Sequence, residues 1–532
     1  MSDEPVNPSS RLSGTQLISH IVQDVPLPTQ GSGYDILSAI QDQWASSVTG
    51  RAPESDAVPP SELTVFSPAG MQWLQEKIGR PGLNSLMYQA EPSLGDDLGP
   101  LADALRRPPY QPLPPKHIAL RLFKTYFTTI NPLCPLFDED DFMSRVEQQY
   151  PIQPQSSPAW WTCVNAVLAL ACMTEKEYTT TAWGYWKNST IALDSFFLLP
   201  PQLLSAQALL AMTLFLYGNF DMKPSDTLLS MATRILHALD YTKGHLGTSV
   251  NLYKRILVVC YTQDIDIALR SGTPPAKKLD ITALDGREVQ DDLSSRDNHE
   301  LASFNVFSSL CELTAIKSRV HQDLYSACAE GKSDTEVIAT VGQLDEQLEG
   351  WRSAIPEDYR PGSNAVENMR NDPHLRVAYL HFSYYHCLLM IHRRAIPLAT
   401  WQIELGSDHQ HFRPSNSRTL LSREISVAAA RATLDLVRYI PPENVLYPGV
   451  IASFVTFAMM TLSTLIVENP SIARAKADID RMNGVDMFYY AVSISRSDPE
   501  VFGILEYCAH YRTLAERAIK RSLRSKMVLK PR

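Results

Sequence analysis

From residue 116 onward, apolar side chains recur every three or four positions. In KHIALRLFKTYFTTI, Ile118, Leu122, Phe123, Tyr126, Phe127 and Ile130 fall on one helical face, opened by Pro114-Pro115 and stopped at Asn131-Pro132. Ser157 reads as the cap of a second helix with Pro158 in its first turn. The same spacing predicts helices near 183–198, 203–219, 225–240, 251–271, 304–329, 334–354, 374–396, 422–440, 447–468, 472–481 and 498–526. Ser333 with Glu336, and Ser497 with Glu500, have the spacing of capping boxes. Val337, Ile338, Val341, Leu344, Leu348 and Trp351 form one stripe. No run of alternating strands and no fixed-period repeat stands out, so the expected class is all-α, a large helical regulatory domain.

The first part of the chain differs. Sixteen of the 37 prolines fall before residue 116, and residues 1–62 lack sustained periodicity. They are expected to be disordered, with a short helix near 34–44. Residues 63–115 read as a lead-in, amphipathic at SPAGMQWLQEKIG, and a linker. The helical domain then runs over 116–400, a polar loop over 401–421, and further helices of the same domain over 422–532, with a basic tail.

Charge narrows the functions. The net charge is −10 and the pI about 5.7, against a molecule that binds nucleic acid with its whole surface. The eight cysteines are scattered without a CxxC pair, as buried reduced thiols would be, and MSDEPVNPSS has no signal-peptide character. Residues 450–467 carry no charge across 18 positions, long enough to span a bilayer. Five hydroxyls and acidic flanks favour a buried core helix and no membrane role.

Signatures of nucleotide-binding loops, zinc proteases and serine hydrolases are missing, and no catalytic residue is expected. The acids Asp138, Glu139, Asp140 and Asp141 suit the first turn of a helix better than magnesium chemistry. His381, His386 and His392 do not share a face, and His409 with His411 lacks further ligands nearby, so core or surface roles are expected. One asymmetry remains: Arg517, Lys520, Arg521, Arg524 and Lys526, followed by Lys530 and Arg532, form an acid-free basic end. It is a solvated helix end or a candidate nuclear-import patch.

The segment YTQDIDIALRSGTPP is the most informative. Asp266 and Arg270 are four apart on a helix in the favourable order, Gly272 suits the left-handed position beyond its end, and Pro274-Pro275 forbid continuation. Asp264 lies in an apolar turn and needs a partner; Arg255, nine residues earlier, is too far along the helix. The set Arg255, Tyr261, Asp264, Leu269-Arg270, Gly272 and Pro274-Pro275 resembles the fungal-specific transcription factor domain, the middle homology region of fungal binuclear zinc-cluster transcription factors. LFKTYFTTINPLCPLFDEDDF, PAWWTCVNAVLALA, SAQALLAMTLFLYG, MATRILHALDY, LEGWRSAIPEDYR and YYHCLLMIHRRA are similar to other family segments, in the family's order. FSPAGMQWLQEKIG is similar to a lead-in before the domain. Ile256-Leu257 replace the usual Phe-Trp, the Gly-Leu-His after Leu239 is missing, and Arg394 stands where Pro is common.

The resemblance implies a nuclear regulator of fungal metabolic or secondary-metabolite genes and no enzyme. It implies other transcription factors or co-regulators as partners, with DNA reached only indirectly and homo-oligomers admitted. The family's six-cysteine zinc cluster is not in this sequence, whose first cysteine is Cys134, so no zinc ligand carries over and no cofactor is expected. Either a DNA-binding partner or a zinc cluster lost to a truncated gene model would supply that function. An all-α enzyme or small-molecule sensor with a pocket in its helical core, and a helical scaffold, stand as alternatives.

Overall fold

The structure, a computed structural model, describes residues 111–528 apart from 152–156, 175–178, 220–221, 242–249, 272–273, 276–303, 327–328, 330, 363–374, 397–416, 443–445, 471–472 and 497–498. The expectations for residues 1–110, for Gly272, for the His409–His411 pair and for the Ser497 box lie outside the described residues, as do the side chains of Arg270 and Lys526.

Among the described residues there is no strand, and the elements are α-helices: α1 Lys116–Thr129, α2 Glu139–Gln149, α3 Pro158–Met173, α4 Thr179–Thr190, α5 Ser195–Leu198, α6 Leu203–Gly218, α7 Met222–Tyr241, α8 Val250–Ser271, α9 Val306–Val320, α10 Asp334–Ala354, α11 Arg376–Arg393, α12 Ser417–Val437, α13 Leu446–Glu468, α14 Ala475–Arg496 and α15 Pro499–Val528. A π-turn, His321–Tyr325, extends α9, and a 3₁₀ turn, Glu357–Tyr359, follows α10.

Two hydrophobic cores share α8. In the first, α3 and α6 are apolar almost all round and buried along nearly their whole length, as central helices must be. They pack on each other, with α1 and α4 against α3 and α7 against α6. In the second, α11, α12 and α13 pack in succession and α14 and α15 close the far side. Ile256, Val259 and Ile267 of α8 face the first core, while Tyr261, Ile265 and Leu269 face the second. Because most of its length is buried between two cores, the polar residues Asp264 and Asp266 of α8 are buried as well.

Several local expectations are met for physical reasons. Asp138 caps α2, accepting from Asp141 N–H at 3.2 Å, and Glu139, Asp140 and Asp141 occupy the first turn. Ser333 and Glu336 form the reciprocal capping box of α10. The long apolar segment is α13, and 78% of its Ile451–Glu468 stretch is buried inside the domain, as a core helix requires.

Three expectations are corrected. Ser157 stands at the N-cap of α3, but its hydroxyl makes no capping bond; its carbonyl alone starts the ladder, accepting Trp161 N–H at 2.9 Å. The helix expected over 183–198 is two, α4 and α5, because the chain turns at 191–194 between them. The helix expected to end at 481 runs on to Arg496 as α14. Asn483-Gly484 reads as a stop, yet Met482, Val485, Tyr489 and Val492 continue the buried stripe. That burial outweighs the cost of roughly 1 kcal/mol for a glycine inside a helix.

Candidate functional site

The family-like motifs are polar clasps between helices. In the Asn-Pro turn after α1, the Asn131 amide donates to the Phe137 carbonyl at 3.1 Å and accepts from the Phe137 N–H at 3.2 Å. This pins the turn that delivers Phe137 and Phe142 into the first core. Trp351 donates its indole N–H to the Ser309 carbonyl at 3.1 Å, tying α10 to α9. His392 sets Nδ1 3.2 Å from Ser422 Oγ and Nε2 3.0 Å from Asp345 Oδ1, joining α11, α12 and α10. His381 Nε2 meets the Tyr359 carbonyl at 2.9 Å; burial pulls its pKa down to about 4, so the ring is neutral at pH 7. The His386 ring packs 5.0 Å from Phe454 and 5.2 Å from Phe457. These are core histidines, as the sequence pattern suggested.

The centre of the arrangement is on α8. Asp266 is buried, and its partner is Lys317 of α9, whose Nζ donates to Oδ1 at 2.8 Å. Lys317 also donates to Ser383 Oγ at 2.5 Å, and Tyr379 Oη donates to Asp266 Oδ2 at 3.3 Å. Both residues lie on α11, so one buried ion pair fixes three helices where the two cores meet. Lys317 is 1% exposed, and an ammonium so deep is tolerated only when paired. The sequence pointed to Asp266–Arg270 within one helix and missed this pair. A signal existed: Lys317 continues the stripe Leu310, Leu313, Thr314, Val320 that faces inward. A lysine on an apolar stripe calls for a buried acid.

Asp264 is also buried and has an electrostatic or hydrogen-bonding partner, as do Arg255 and Tyr261. It lies one turn beyond Cys260. Burial pushes the Cys260 thiol up to about 12, with the Asp264 carboxylate adding to the rise against the Thr233 hydroxyl. The helix ends at Ser271, with Pro274 exposed and Pro275 half-buried beyond it. At the other end of the chain, Lys520, Arg521 and Arg524 are exposed on α15, while Arg517 is half-buried. Among the described residues no three His, Cys, Asp or Glu side chains gather as a metal site would require.

Together these features define an all-α domain in which buried polar groups hold helices in register. Residues 123–353 match the family model of the fungal specific transcription factor domain, and the relatives the chain resembles are fungal transcription factors. It is 33% identical over 509 residues to an ABC-transporter-regulating transcription factor of Aspergillus oryzae, and 34% identical over 506 residues to one of Aspergillus fumigatus. Each alignment covers 90% of this chain and 56% of the relative, so the chain spans little more than half the length of these proteins. A Fusaridione A cluster transcription factor of Fusarium heterosporum is 28% identical over 394 residues, covering 70% of this chain and 72% of the relative. No solved structure matches significantly.

Proposed function

We propose that this chain is the regulatory part of a fungal transcription regulator whose target genes encode ABC transporters. The observation that carries the reading is similarity at 33–34% identity along 90% of the chain to two proteins named for that role. The clasps fit it, since they tie the helices around α8 into one body through buried polar contacts. The protein acts in the nucleus, with other transcription factors or co-regulators as its partners. DNA is contacted by a zinc-cluster module or a separate protein, and the 532 residues themselves hold no stoichiometric zinc.

The test is deletion of the gene followed by transcript profiling. Altered ABC-transporter transcripts support the reading; unaltered ones sink it. A second reading, control of a secondary-metabolite cluster, is favoured by the Fusarium relative and would appear in the same profile as a change confined to one biosynthetic cluster.

A further inference from the structure

Where the turn after α1 meets α6, α8, α9 and α11, between the two cores, lies a cavity of about 80 Å³. Its walls are mostly apolar, with Leu214, Ile267, Phe307 and Leu310 among them. Three of the polar side chains around it are already engaged. Thr213 Oγ1 donates to the Leu209 carbonyl at 2.8 Å and Thr262 Oγ1 to the Val258 carbonyl at 3.0 Å. Both Asp266 oxygens accept, one from Lys317 and one from Tyr379.

Gln263 has hydrogen-bonding capacity left over. Its Nε2 donates to Cys134 Sγ at 3.3 Å, but its Oε1 is buried and meets no hydrogen-bond partner. A buried amide oxygen without a donor is costly, and here it lines a cavity with room to bring one in. Burial pushes the Cys134 thiol up to about 12, so at pH 7 it is a neutral group beside the amide.

We propose that this cavity binds an uncharged, largely apolar molecule through a terminal hydroxyl hydrogen-bonded to the Gln263 amide. The hydroxyl follows from the chemistry of the amide. If Oε1 points inward, the ligand must donate; if the amide is turned, with the thiol donating to Oε1, the inward NH₂ needs an acceptor. A hydroxyl serves both. Charge is excluded because Asp266 is already neutralised by Lys317, leaving no counter-ion for a ligand. The volume is about half of the ~150 Å³ that admits benzene into an engineered cavity. Leu133, Cys134 and Thr262 at the rim are only half-buried, so the ligand inserts its hydroxyl end and keeps its remainder at the opening. The class is an alcohol or phenol.

This inference adds a ligand to the proposed regulator, and its test is independent of transcription. The purified 532-residue chain is titrated with phenol and with toluene, similar in size but without the hydroxyl, by calorimetry and thermal unfolding. The expected result is saturable binding, with phenol at least tenfold tighter than toluene. Gln263→Leu should bring the two within about twofold while toluene binding is retained, which shows that the cavity and fold persist. No saturable binding of phenol, equal affinities in the unaltered protein, or a phenol preference that survives Gln263→Leu would each overturn the proposal. Should Gln263→Leu fail to fold, the phenol-to-toluene ratio in the unaltered chain still decides. Because the readout is binding, it can fail while the transcript profile succeeds, and the reverse.

Discussion

The two cores that share α8 are built by different means. In the first, the buried polar groups around α3 and α4 are neutral: Asn188 donates to Asn165 Oδ1 at 2.9 Å and to the Gln111 carbonyl at 2.7 Å, and the Trp161 indole donates to the Asn188 carbonyl at 3.0 Å. Lys116–Glu147 and Lys124–Glu139, beside it, are on the surface, and buried charge near it is carried by the shared helix α8, at Arg255 and Asp264. There shape decides, with edge-to-face rings such as Phe142 against Trp160 at 4.8 Å and Trp183 against Phe215 at 5.0 Å. The second core takes charge inside. Lys317–Asp266 and Arg512–Asp486 are nearly dry, and Asp478 is fully buried beneath Arg431. Buried pairs contribute little net stability, but breaking one leaves an expensive lone charge. The second core should therefore respond to charge and pH, and the first to volume.

The largest effect expected is at Lys317. Lys317→Met leaves the buried Asp266 carboxyl without its cationic partner, at a cost of about 3–5 kcal/mol. Adding Asp266→Leu should recover much of that loss, because an apolar pair needs no partner. Trp161→Ala in the first core costs a comparable ~3–5 kcal/mol through the void it leaves, and no change of a single partner restores it. Urea unfolding of the single and double variants reads this contrast directly. If the double variant is no more stable than Lys317→Met, the second core is not organised by charge pairing.

Next is Asp486. Burial pushes its carboxyl up to about 6 even beside Arg512, whose Nε lies 2.5 Å away. The folded value lies above the unfolded value of roughly 3.9, so the native state holds the proton more tightly. Stability from this group is present below about pH 4 and is lost as pH rises through 6, on the order of 2–3 kcal/mol. Asp486→Asn cannot titrate and should remove that part of the slope. Melting curves between pH 4 and 7 that coincide in their pH dependence for both proteins would count against it.

Asp264 tests the shared helix. It is 5% exposed on the turn after Cys260, which faces the first core. Asp264→Ala removes a buried, engaged carboxylate and should cost about 1–3 kcal/mol. An unchanged melting temperature together with altered target-gene expression would turn Asp264 from a structural residue into a contact for a partner.

The contrast between the cores also governs how far the sequence could be read. The apolar stripes of α1, α10 and α13 are one-dimensional patterns, and their helices lie where the spacing puts them, because each is set by its own residues. The capping box of Ser333 and the first-turn acids of α2 are equally local. Asp266 is different. Its partner is 51 residues away, and the rule for neighbours on one helix pointed to Arg270 instead. The Gln263–Cys134 contact spans 129 residues and was invisible for the same reason. The second core, which depends on long-range charge pairing, was therefore the less legible. Its helix α14 also runs past its expected end at 481, through a glycine whose cost tertiary burial outweighs.

The smallest effect on stability, and the sharpest test of function, is at the basic end. Lys520, Arg521 and Arg524 are exposed on α15, beyond the last buried pair, Arg512–Asp486. Lys520 reaches Glu516 only at 3.7 Å, an exposed contact of small value. Deleting 517–532 would be a poor experiment, since it also strips buried Ala518 and Ile519, which packs on the second core. Alanine at Lys520, Arg521, Arg524 and Lys526 is better: alanine keeps the helix, and surface changes of this kind stay within about 0.5 kcal/mol each. Urea unfolding should then be almost unchanged. If this patch is read by an import receptor, nuclear accumulation of a fluorescent fusion should fall nonetheless, because such recognition needs only clustered positive charge. Equal nuclear signal with equal stability would leave these residues as the solvated end of α15 and place import on a partner.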